Sequence, residues 1–130
     1  MKTLLITGIA GKSGLALARL IAAGGLEDPY KLRLALRPTS CGVAEVLRLL
    51  PDAEVIEGDL TDPDYLQELT KNVDVMFHIA GIGNSPALVS AAAENGVRRI
   101  VLVHTTGIYS KYKAAGEWYR QADAEITALC

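Results

Sequence analysis

Cysteine is scarce in this chain, with only Cys41 and Cys130 present. The two have neither metal-ligand spacing nor the partners of a disulfide framework, so a reducing, cytoplasmic setting is expected, without a metal centre. No apolar run approaches the roughly 20 residues of a membrane span. The short apolar run near the start is too brief for a secretory signal, and neither a signal nor a membrane anchor is expected. Neither sign of charge dominates: the net charge is −2, with acids and bases interspersed. That balance argues against a nucleic-acid groove and against an anionic membrane surface as partners. Internal repeats, low-complexity tracts and linkers are also missing. What remains is a chain of 130 residues, half of them apolar, which suits one domain over 1–130 with a true core.

The stretch around which the chain is organised is Thr7-Gly8-Ile9-Ala10-Gly11-Lys12-Ser13-Gly14. It follows the apolar run Leu4-Leu5-Ile6 and precedes Leu15-Ala16-Leu17-Ala18-Arg19-Leu20-Ile21, which reads as strand, glycine turn and helix. Three glycines at this spacing have separate tasks. Gly8 turns the chain off the strand, Gly11 lets backbone approach a pyrophosphate, and Gly14 lets the first helical turn pack close to the strand. The free N–H groups of the helix start then face phosphate. Lys12 stands where a cation is ordinarily unfavourable, and a bound phosphate reverses that sign. The plain alternative is a glycine turn that only joins a strand to a helix.

Further along, strands are expected at 3–7, 31–36, 54–57, 74–79 and 99–104, with an edge strand at 125–129. Helices are expected at 12–23, stopped by Gly24-Gly25, and at 42–50, capped by Thr39 or Ser40. A third follows Thr61 or Asp62 with Pro63 at its first position. A fourth follows Asn84 or Ser85, has Pro86 at its first position and ends at Asn95-Gly96; a last one covers 110–121. Alternation of strands and helices implies an α/β fold: a doubly wound parallel sheet (Rossmann fold) of about six strands in order 3-2-1-4-5-6, helices on both faces. Ligand would bind beyond the C-terminal strand ends, at loops 8–14, 37–40, 58–62, 80–84 and 104–109.

These loops carry a resemblance. Thr7-Gly8-x-x-Gly11-x-x-Gly14 resembles the cofactor loop of the extended and atypical short-chain dehydrogenases/reductases, which include the NAD(P)-dependent epimerase/dehydratase and NmrA-like groups. Gly58-Asp59-Leu60-Thr61-Asp62 resembles the family segment where an Asp meets the adenine, and 73–81 resembles its fourth strand and the loop along the cofactor. Residues 98–109 are similar to its fifth strand with the serine-rich end, and Lys113-Ala114-Ala115-Gly116-Glu117 to the helix that follows. Family members are longer and carry a C-terminal substrate lobe, so the resemblance implies the cofactor-binding portion without a separate substrate domain. In the family a longer interval separates the serine-rich end from the catalytic Tyr-x-x-x-Lys; here it is nearly closed.

The resemblance implies a dinucleotide cofactor held by Gly8, Ala10, Gly11, Lys12, Ser13, Gly14, Arg37, Asp59, Leu60, Ala80, Gly81 and Lys113. At the end of the second strand an acid would bind a ribose 2′-hydroxyl. The chain has Arg37 there, with Thr39 and Ser40 behind, which favours NADP, with NAD as the alternative. The bland alternative is a solvated loop cation. Thr105, Tyr109 and Lys113 stand as catalytic candidates. A tyrosine would exchange a proton with a carbonyl or alcohol, a lysine four residues on would stabilise its phenolate, and Thr105 would bond the substrate oxygen. Alternatively Tyr109 points into the core and Lys113 only pairs with Glu117 on the surface. His78 is expected to be a core histidine satisfied by backbone, and His104 to adjoin the ligand edge. Cys41, at a helix start, could carry a lowered pKa but is structural by default.

As an enzyme, the protein would be an NADP-dependent oxidoreductase or epimerase acting on an unknown small-molecule substrate. Two alternatives stand beside it: a non-catalytic NmrA-like redox sensor, and a truncated domain needing a partner chain. Trp118 and Tyr119 on the last helix, or the final edge strand, would offer a homo-oligomer surface.

Overall fold

In a computed structural model, the structure describes residues 1–37, 41–79 and 85–103, together with 121 and 124. Among the described residues up to 103, five strands and four helices alternate: β1 (Lys2–Thr7), α1 (Lys12–Ala22), β2 (Tyr30–Leu36), α2 (Val43–Leu49), β3 (Glu54–Glu57), α3 (Pro63–Thr70), β4 (Val75–His78), α4 (Ser85–Glu94) and β5 (Arg99–Leu102). The strands form one sheet in the order β3-β2-β1-β4-β5, and every ladder is parallel. The doubly wound arrangement is therefore present, with the order reversal between β1 and β4. The expected sixth strand at 125–129 and the helix at 110–121 fall on positions that, apart from 121, lie outside the described residues.

Side-chain alternation along each strand sorts the apolar residues onto two faces. Leu4 and Ile6 of β1 join Leu34 and Leu36 of β2 under Ala18 and Val46 from α1 and α2. Leu5, Ala35 and Met76 face the other way, against Tyr65, Leu66 and Leu69 of α3 and Leu88, Ala91 and Ala92 of α4. The unbroken run Leu4-Leu5-Ile6, 1% exposed or less, is what a central strand covered on both faces requires. Each such side chain contributes about 1.5–3 kcal/mol by leaving water.

Helix ends follow their local chemistry. The Asp62 side chain accepts from the backbone N–H of Asp64, with Pro63 at the first position of α3, as expected from sequence. Gly24 and Gly25 close α1 by donating to Ile21 O and Leu20 O. Two starts differ. Gly42 is the N-cap of α2, so neither Thr39 nor Ser40 takes that place, because the helix begins later than the hydroxyls suggest. Ser85 is already the first residue of α4, which moves Pro86 to the second position, where its missing N–H is equally harmless.

One buried charge was not foreseen. Arg33, on the central part of β2, is only 8% exposed. Its guanidinium donates to Leu69 O at 2.9 Å and to Lys71 O at 2.5 Å. Its Nε lies 3.4 Å from Glu54 Oε2 on the neighbouring strand. The cation thus satisfies carbonyls at the C-terminal end of α3, where the helix dipole favours positive charge. It ties that helix to the sheet.

Candidate cofactor site

The C-terminal ends of β1 and β4 open at the order reversal, where doubly wound sheets bind their ligands. Gly8 leaves β1 with φ of 72°, a conformation other residues adopt at a cost. The turn is closed by Gly11 N–H donating to Gly8 O at 3.2 Å. Ile9 is fully buried and anchors the loop in the core. Gly14 is buried, and a Cβ there would lie 2.1 Å from Gly8 O and 2.4 Å from the Ile9 backbone. The close approach expected at Gly14 is real, but its partner is the loop leaving the strand rather than the strand itself. At Gly11 the nearest atom to a Cβ would be 3.5 Å away, an ordinary contact distance, so packing within the protein does not require a glycine there.

Helix α1 begins without a side-chain cap. Its N-cap is Gly11, no acid lies in its first turn, and Lys12 is its first residue. Gly11, Lys12 and Ser13 are exposed. Donors at a helix start must find a partner outside the helix, and this one offers N–H groups and a cation together, a fit for phosphate.

Two further strand ends border the crevice. Arg37 follows β2 and is exposed. Asp59 follows β3 by two residues; its Oδ1 accepts from Thr61 N at 2.9 Å and Thr61 Oγ1 at 2.8 Å. Those hydrogen bonds, with help from the Arg37 charge, hold the Asp59 carboxyl below the usual carboxylate range. Leu60 packs its side chain against the α3-side core. At the base of the crevice Thr7 and His78 are register partners on β1 and β4. Thr7 Oγ1 and His78 Nδ1 are 2.6 Å apart and buried. The core placement of His78 was expected, and this hydroxyl is one of its partners.

Gly42 was missed by the sequence reasoning. A Cβ on it would stand 2.3 Å from Ala10 O, so the start of α2 rests directly on the glycine loop. A glycine at an N-cap is ordinary, and nothing local signals this contact. Cys41 beside it is exposed. Ala80, Gly81, His104, Thr105, Tyr109 and Lys113 lie outside the described residues, as do Thr39, Ser40, Trp118 and Tyr119.

Among the described residues no group of His, Cys, Asp or Glu is placed to hold a metal, and no helix is long and apolar enough to cross a membrane. A cavity of about 450 Å³ bounded by Tyr30, Leu49, Leu50 and Pro51 lies at the opposite ends of β2 and β3 and contains none of the candidate residues.

The comparisons agree with this geometry. No curated protein matches the sequence. Among solved structures, gox2253 is 32% identical, with a TM-score of 0.63, over 78% of this chain and 34% of that one. A wide-type short-chain dehydrogenase/reductase from Veillonella parvula, solved with NADP, is 19% identical with a TM-score of 0.72, over 98% of this chain and 63% of that one. The triphenylmethane reductase of a Citrobacter species, solved with NADP(H), is 20% identical with a TM-score of 0.72, over 98% and 46% respectively. The chain thus spans between about a third and two thirds of the length of these proteins. A family model described as NAD(P)H-binding matches residues 8–128, and the chain belongs to that NAD(P)H-binding family.

Proposed function

We propose that the domain binds NADP(H) in preference to NAD(H) and forms the cofactor half of an oxidoreductase acting on a carbonyl or alcohol. The observation that carries this reading is the start of α1. It has no side-chain cap and no acid, begins with Lys12, and is seated on the glycine loop at the order reversal. Gly8, Ala10, Gly11, Lys12, Ser13 and Gly14 would hold the pyrophosphate, through backbone N–H groups and the lysine charge. Arg37 would take the ribose 2′-phosphate, since a guanidinium suits phosphate and no acid stands at its position. Asp59 and Leu60 would border the adenine, and Ala80 and Gly81 would follow the cofactor along β4. The NADP in the Veillonella and Citrobacter structures supports the preference by analogy only.

When bound, the cofactor supplies or accepts a hydride. This chain's part is the proton. In the proposed arrangement the Tyr109 hydroxyl gives or takes it, Lys113 lowers the cost of the phenolate and holds the nicotinamide ribose, and Thr105 donates a hydrogen bond to the substrate oxygen.

Titration of the purified chain with NADPH and NADH tests the binding reading. Saturable binding of both, tighter for NADPH, is expected; binding of neither would overturn it. The catalytic assignment is tested once a substrate is found. Tyr109→Phe should keep NADPH affinity and lose about 100-fold or more in turnover, the usual contribution of a positioned acid/base; unchanged turnover removes Tyr109 from that role.

A further inference from the structure

Tyr65 lies in the first turn of α3 and is 6% exposed. Its hydroxyl donates to Ile56 O, on the penultimate residue of β3, at 2.6 Å. Its ring fills the space beside Gly58: a Cβ there would stand 2.5, 2.6 and 2.8 Å from Cδ2, Cε2 and Cγ of the ring. One side chain therefore grips the segment between β3 and α3 at two points, one in the strand and one just beyond it. The next residue is Asp59, whose carboxylate organises the turn into α3 by accepting from Thr61. Asp62 N–H closes the same turn on Asp59 O at 3.0 Å. Leu60 packs on the core cluster to which Tyr65 belongs. Burial, with Glu68 and Glu57 nearby, pushes the phenol up to about 12, so the hydroxyl remains a donor at every pH the protein would meet.

We propose that Tyr65 is a positioning residue for the adenosine half of the cofactor: it sets the place of the 58–61 turn, and with it the edge that Asp59 and Leu60 present to the ligand. The inference rests on the dinucleotide-binding reading and adds a residue that never touches the ligand. A small residue at 65 would leave the Asp59–Thr61 hydrogen bonds intact but detach the turn from the strand end. The glycine at 58 belongs to the same device, since any side chain there would displace the ring.

The test uses Tyr65→Phe, which keeps the ring and removes the hydroxyl, and Gly58→Ala, which keeps the hydroxyl and crowds the ring. Affinities for NADPH and for 2′,5′-ADP, which carries only the adenosine half, are measured by calorimetry for each variant. Amide hydrogen exchange is followed on the free protein. Both ligands should weaken by the same factor within each variant, about fivefold in Tyr65→Phe for the loss of one hydrogen bond. Exchange should quicken over residues 58–62 and stay unchanged in β1 and α1. Equal affinities for variant and wild type would overturn the proposal. So would a larger loss for NADPH than for 2′,5′-ADP, or exchange that quickens throughout, because each indicates a general effect on the fold. Failure of the wild-type chain to bind either ligand would overturn the dinucleotide reading and this proposal with it, an outcome distinct from all the others.

Discussion

Gly14→Ala is expected to weaken NADPH binding by at least about 100-fold, equivalent to some 2.7 kcal/mol of affinity, and to destabilise the fold by about 1–3 kcal/mol. One methyl group suffices because its neighbours are main-chain atoms: Gly8 O at 2.1 Å and the Ile9 backbone at 2.4 Å. A side chain could rotate away, but these atoms are held by the Gly8 turn and by the fully buried Ile9. The start of α1 must therefore lift from the loop, and the N–H groups proposed to face phosphate move with it. Gly11→Ala is the control. Its Cβ meets nothing nearer than 3.5 Å within the protein, so stability should change by less than about 1 kcal/mol, the poorer N-cap that Ala makes being offset by the smaller freedom it has in the unfolded chain. Binding should still fall, because the methyl group would occupy space needed by the pyrophosphate. Urea unfolding and NADPH titration of the two variants separate the effects. Retained affinity in Gly11→Ala would mean that the ligand does not approach the loop there.

The second large effect is expected from Arg37→Asp. Reversing this charge should reduce NADPH affinity by about 100-fold, as removal of one partner of a charge pair costs 2 kcal/mol or more, while NADH affinity holds or improves. The Asp59 carboxylate lies close enough to sense the Arg37 charge. The substitution would therefore set two acids side by side at the place assigned to a 2′-phosphate. Wild-type NADPH affinity should also fall as salt is added, since Arg37 is exposed and its field is screened. Equal losses for NADPH and NADH would assign Arg37 to the shared part of the cofactor. No loss for either would return it to the solvated loop cation that its exposure also allows.

Much of the scaffold was legible because its signals are local. The end of β1, the first residue of α1 and the whole of β3 coincide with the sequence expectation, and α1 ends one residue earlier. Glycine punctuation, the apolar run of β1 and the Asp62-Pro63 start of α3 each act within a few residues. Caps were less certain where several candidates stood in a row: in Thr39-Ser40-Cys41-Gly42 the hydroxyls suggested a helix start that the chain places at Val43. Strand order followed from the handedness and connection rules of alternating strands and helices, not from any one residue.

Sequence by itself determined the strand–glycine–helix unit and the alternating α/β order, because backbone conformation and helix-end chemistry are decided by near neighbours. Only the tertiary structure decided which distant residues meet. Thr7 faces His78 across 71 positions, Arg33 reaches the end of α3, Gly42 rests on Ala10, and Tyr65 fills the space beside Gly58. Parallel pairing brings such partners together through crossover helices, so their separation along the chain carries no local periodicity from which the contact could be read.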